Sequence, residues 1–252
     1  MIKLARTTDE VVWELENIIE DCIRQRNHLG IFAALYRKVT INVKKAINEG
    51  RFEDNDRMEI FDVKFANRYL EAYHRNRLGE KPTSSWGITF ESIKNQNLVL
   101  MQHLLMGMNA HISLDLGIAA SEICPGTQLP TLRNDFVEIN RLLTEMVDDV
   151  QDRIGRVSPT VRIMDWMMLR VDEAIVKQGL ILARDAAWEV AEQLAPLSLE
   201  HRDVMIADLD SKVTNWSKSI KRPHILLSPF VQIARKTESR RVHQLIQTLY
   251  DE

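Results

Sequence analysis

The chain reads as all-α: a single domain over residues 1–252, built as a bundle of about eight or nine helices around a buried central helix at about 97–120. Three observations predict this. Turn formers are scarce, with 9 Gly and 7 Pro among 252 residues, so the elements are long. Apolar residues recur at helical spacing in one stretch after another. No alternating strand pattern persists beyond a few residues.

Thr7 and Glu10 stand at capping-box spacing ahead of an apolar-periodic run, so a first helix starts there and runs to about Arg26. "GIFAALYRKVTINVKKAINEG" is the second, ended by Gly50. "RMEIFDVKFANRYLEAYHRNR" is the third, ended by Gly79, with Met58, Phe61, Phe65, Tyr69 and Tyr73 close to one stripe. "GEKPTSSW" (79–86) is a long turn, and the central helix follows as the fourth, to about Ala120. "CPGTQLPT" (124–131) is the second strong break. "LRNDFVEINRLLTEMVDDVQDRI" makes a fifth helix that ends before Ser158-Pro159. A long helical pattern from Thr160 to Ala195 follows, which Gly179 bends or interrupts. Ser198 opens another helix, and one or two shorter ones around Pro229 close the chain.

Bulk properties narrow the function. The net charge is −3, and the basic residues are scattered, densest in "KSIKRPH" (218–224). No basic stripe carries interleaved aromatics, which argues against a nucleic-acid partner. Cys22 and Cys124 are too few for a disulfide framework or a thiolate zinc site. No apolar run reaches the roughly 18 residues expected of a membrane span, and the N-terminus has no signal-peptide core. A reducing cytoplasm is the expected setting. The motifs of α/β-hydrolases, P-loop NTPases, dinucleotide-binding folds and H-E-x-x-H metalloproteases are absent. Nothing in the sequence sets an oligomeric state.

Chemistry is carried by the central helix, "LVLMQHLLMGMNAHISLDLGIAA". Its Leu, Met and Ile fall on all sides of a helical wheel, which marks a helix surrounded by others. Yet it holds His103, Asn109, His111 and Asp115, and a buried polar group left unpaired costs roughly 1–3 kcal/mol. His111 and Asp115 are four apart, about 6 Å along the axis, and can share one partner. His103 lies about 12 Å from His111 by the same rise and more naturally serves a neighbouring site, a second ion or a structural hydrogen bond. A His-x-x-x-Asp pair suits Zn, Mn or Fe as a divalent ion, with further ligands from other helices. His103 and Asp62, an acid within the apolar stripe of the third helix, are the candidates for completing it. Without a metal, His111 would be a general base oriented by Asp115, helped by Asn109 and Arg37. Arg37 has two uses: pairing Asp62 or Asp115, or holding an anionic substrate group. The bland alternative is that these groups only hydrogen-bond one another.

The strings "FANRYLEAY", the Ser-Trp of "TSSWGITFE" and above all "QHLLMGMNAHISLDLGIAA" resemble an uncharacterised helical family, domain of unknown function 5995. The resemblance runs from the helix of Tyr36 and Arg37 through the central helix and on to "ARDAAWEVAEQLA". It implies a bacterial-type helical protein and carries over no activity. The expected functions are an enzyme with a buried His/Asp pocket, a bundle binding an apolar ligand such as a lipid or isoprenoid, or a structural or partner-binding protein.

Overall fold

Thr7 Oγ1 accepts the amide of Glu10 and so starts α1 (Thr8–Gln25). The Glu10 carboxylate turns back to the amide of Arg6, one residue short of the amide that a capping box engages. The computed structural model describes residues 2, 4–93, 98–157, 173–222 and 242–250, and these contain no strand. α2 (Leu29–Asn48) and α3 (Asn55–Arg77) stop just before Gly50 and Gly79, whose φ of 70° and 75° turn the chain away. The Asp54 side chain caps α3 at the amide of Arg57.

A short helix, α4 (Ser84–Ser92), occupies part of the stretch that reads as a turn. Gly87 and several Ser and Thr make it a poor helix by propensity. A distant carboxylate compensates: Asp210 accepts the amides of Ser84 (2.6 Å) and Ser85 (2.9 Å), two of the donors that a helix start leaves unpaired.

The central helix has three parts. α5 (Leu100–Met108) passes into a π-helical stretch, Asn109–Leu116, and that into α6 (Gly117–Ile123). The break after it is a 3₁₀ stretch, Gly126–Leu132, followed by α7 (Arg133–Val157). α8 (Glu173–Leu194) continues as helix through Gly179, so the chain is not interrupted there. α9 (Leu199–Ile220) and α10 (Val242–Tyr250) complete the described helices. The expected helix over 160–172, with Asp165 and Asp172, and the helices around Pro229 lie outside the described residues.

Burial follows the central helix. Leu100, Leu104 and Ala110 belong to an apolar cluster with α1–α4 and α10; Leu116, Ala119 and Ala120 join α7 and α8; Leu114 and Ile118 meet Leu194 and Val213. One helix thus feeds three clusters, as an element apolar on every side must. Its first turns are less enclosed than expected, with Leu105 42% exposed. Gly117 lets α8 approach closely: a Cβ there would lie 2.6 Å from the Ala187 carbonyl oxygen.

Candidate functional site

The π-helical stretch carries the central polar group. Asp115, 1% exposed, accepts from Arg68 Nε at Oδ1 (2.8 Å) and from Trp86 Nε1 at Oδ2 (2.8 Å). His111 Nδ1 lies 3.2 Å from the same Oδ2. One carboxylate therefore joins α3, α4 and the central helix. Burial alone would raise its pKa, but the Arg68 guanidinium and the bonds from His111 and Trp86 hold it below the ordinary carboxylate value. An ionised carboxylate only accepts hydrogen bonds, so His111 carries its proton on Nδ1 and presents a lone pair at Nε2.

Among the described residues that lone pair has no partner: Nε2 is buried without a hydrogen bond. Around it stands a cage of rings. Phe65 stacks on the imidazole at 3.7 Å between centroids and 7° between planes, and Tyr36 meets it edge-on at 4.5 Å. Phe32, Trp86 and Tyr69 lie farther out, at 5.8, 6.1 and 6.3 Å. Burial lowers the His111 pKa against the opposing pull of Asp115, so the ring is neutral at pH 7.

Further orphaned polar atoms lie in the same interior. The hydroxyls of Tyr36 and Tyr69 and Asp62 Oδ2 are all buried without a partner among the described residues. Burial, with the nearby charge of Glu59, pushes Asp62 up to about 7. Tyr36 is pushed well above its ordinary value by burial and by the negative charges of Asp62 and Asp115, which places its ring within electrostatic reach of both. Unpaired buried polar atoms are few in folded proteins, so several around one histidine call for an explanation.

A narrow cleft lies beside this cage, lined by His28, Phe32, Tyr69, Trp86, Ser92 and His103 among others. It measures about 280 Å³ including its open side, and its interior has room for about one water. Phe32, Tyr69 and Trp86 belong to both cleft and cage. Gly107 seats Phe32 there, since a Cβ on it would come within 2.7 Å of the ring.

The expected metal set is not gathered. His103 faces Ser92 (3.3 Å) and stacks on His28 at 4.8 Å, away from Asp115. Asp62 is buried as expected but bonds neither His111 nor Asp115. Among the described residues no three His, Cys, Asp or Glu side chains are arranged to hold an ion. Arg37 pairs with Glu16 and lies over the Tyr250 ring, so the cation expected beside Asp115 is Arg68 instead. Asn109 turns to α9, donating to the Val213 carbonyl and Ser217 Oγ at 3.0 Å each. Trp86, Phe65, Tyr36, Tyr69, His28 and Ser92 went unremarked as site residues. The Ser-Trp of "TSSWGITFE" was the one signal for Trp86.

Fold and site together define an all-α protein with a buried His–Asp pair in an aromatic cage. No curated protein and no solved structure matches the chain. The model of a family of unknown function, DUF5995, matches residues 8–223, and the chain belongs to that family. Among the described residues no helix is long and apolar enough to cross a membrane.

Proposed function

We propose that the protein is an enzyme of small-molecule chemistry in which His111 is the general base and Asp115 its orienting carboxylate. The observation that carries this is the buried, unpartnered Nε2 of a histidine whose Nδ1 is tied to an ionised acid. Such a ring takes a proton at Nε2 from a hydroxyl or a water, and the imidazolium that forms is stabilised by Asp115. The imidazolium can then return that proton to the leaving side. Tyr36 and Tyr69 offer hydroxyl donors to an oxygen of the substrate.

The metal-free form of the mechanism fits the donors better than the metal-dependent one. Asp115 uses both oxygens on Arg68, Trp86 and His111, which leaves His111 Nε2 without a companion ligand already turned toward it. The cleft shares Phe32, Tyr69 and Trp86 with the cage around His111.

The test incubates the wild type, His111→Gln and Asp115→Asn with a pool of cellular small molecules and follows the pool by mass spectrometry. Circular dichroism checks that both variants are folded. Compounds should be consumed by the wild type and spared by both variants. If every compound consumed by the wild type is consumed equally by folded His111→Gln, the histidine is structural and the enzymatic reading fails.

A further inference from the structure

Four of the five rings around His111 are buried: Phe32, Tyr36, Tyr69 and Trp86. The fifth, Phe65, is stacked on the imidazole at 3.7 Å and is only half-buried. Among the described residues it is the one ring of the cage that reaches the surface. Three residues along α3, and so its neighbour on the next turn, stands Arg68. Arg68 Nε is fixed at 2.8 Å on Asp115 Oδ1, while His111 faces the other oxygen of the same carboxylate. That bond uses one of the five guanidinium donors. The outer nitrogens form no hydrogen bond to a described residue, and the side chain is 24% exposed. The acids near it are already engaged. Glu71, one turn on, pairs with Arg75 at 2.8 Å, and Glu122 pairs at 2.9 Å with Lys64, one turn back. A guanidinium anchored at one end by a buried acid, with its fork open to water, is set for a second pair of anionic oxygens.

We propose that the ligand of this site is a small organic anion, with a carboxylate or phosphate on the outer edge of Arg68 and its reacting group in place of the Phe65 ring against His111. Stacked at 3.7 Å, Phe65 leaves no room for a ligand between itself and the imidazole. It therefore swings outward, toward the side on which it already meets solvent. The histidine is then reached from the surface where Arg68 stands. A cationic group would be repelled by the guanidinium there, and an uncharged one would forgo its charge-assisted bonds. The proposal names the substrate class for the His111 reaction and rests on that reading for turnover alone; anion binding at Arg68 stands without it.

Iodoacetate and iodoacetamide are probes of nearly one shape, a carboxylate against an amide. With either, the Nε2 lone pair forms a bond to the CH2 carbon, and iodide leaves with the electrons of the C–I bond. The full-length protein is treated with each at pH 7 to low conversion. Peptide mass spectrometry then reads alkylation of His111 against that of the exposed His201 in the same sample. Relative to His201, iodoacetate should label His111 about ten-fold faster than iodoacetamide does, the worth of one charge-assisted hydrogen bond. The preference should vanish in Arg68→Gln, with iodoacetamide reporting any change in the nucleophilicity of the ring itself. Phe65→Ala should speed both reagents and keep the preference. Circular dichroism checks the fold of each variant. If Arg68→Gln does not fold, protection of the wild type decides. Acetate or inorganic phosphate, set against chloride at equal ionic strength, should slow iodoacetate at His111, and the stronger protector identifies the anionic group. No labelling of His111, no preference for iodoacetate, a preference that survives in folded Arg68→Gln, an unchanged rate in folded Phe65→Ala, or protection by neither anion would overturn the proposal. A missing preference is a failure of the anion site alone, whereas unchanged turnover in folded His111→Gln is a failure of the catalytic reading alone.

Discussion

Replacing Asp115 by asparagine keeps the shape of the buried side chain and removes its charge. The wild-type carboxylate accepts from three donors: Arg68 Nε, Trp86 Nε1 and His111 Nδ1. An amide has one oxygen and one NH2, so whichever way it turns, its NH2 faces a donor. With the oxygen toward Trp86 and His111, the NH2 faces Arg68; flipped, it faces the Trp86 N–H, which has no alternative tautomer. Hydrogen bonds to a charged group are worth about 1.5–3 kcal/mol each, and breaking a buried pair costs about 3–5 kcal/mol. Arg68 is 24% exposed and recovers some hydration, so the expected loss is about 2–4 kcal/mol. Urea unfolding at pH 7 should show a lower midpoint at unchanged slope. The pKa of Asp115 is depressed in the folded state, so its contribution is complete above the ordinary value of 3.8 and disappears as pH falls through the lowered one. The two proteins should therefore differ by a constant amount from pH 7 to 8 and converge in acid. Arg68→Gln completes a double-mutant cycle, with a coupling of at least about 1 kcal/mol expected. A loss under about 1 kcal/mol for Asp115→Asn, or additivity with Arg68→Gln, would refute the three-donor account.

Two further outcomes follow from the same interior. Asp62 is raised to about 7 in the fold, so ionising it destabilises: its favourable contribution is whole below pH 3.8 and is lost as pH rises through about 7. Asp62→Asn should therefore gain a few kcal/mol relative to wild type at pH 8 compared with pH 4, read from unfolding midpoints, and an equal difference at both pH values would contradict it. Gly117→Ala should cost about 1–3 kcal/mol by overpacking against the Ala187 carbonyl, although alanine is the better helix former by about 1 kcal/mol. Thermal unfolding decides it, since a stabilised variant would mean that α8 moves away freely.

Legibility in the sequence depended on how local each cause was. The central helix declared itself because apolar residues on every side leave no solvent face, and the described packing supplies three clusters around it. The His111–Asp115 contact was legible because four residues of spacing set the two side chains on adjacent turns. The π-helical widening has no periodicity signature and was not foreseen. α4 was hidden because its capping carboxylate, Asp210, lies 125 residues from Ser85. Arg37 misled because its neighbours are core residues: one step along a helix turns a side chain by about 100°, so Tyr36 points into the cage while Arg37 reaches Glu16 and Tyr250. Arg68, the partner that was needed, stands between Asn67 and Tyr69, where no spacing singles it out.

The central helix also has a place in time. Its bonds reach back 47 residues to Arg68 and 29 to Trp86, but forward 118 to the Ile220 carbonyl and 104 to that of Val213. A ribosome adding about 5–20 residues per second delivers the first set before the helix and the second several seconds after it. Through that interval the most apolar segment of the chain has only half of its partners. A nascent chain halted after α7 would carry Leu114 and Ile118 without Leu194 or Val213 to cover them, which makes this stage of synthesis the one most exposed to aggregation and to capture by chaperones.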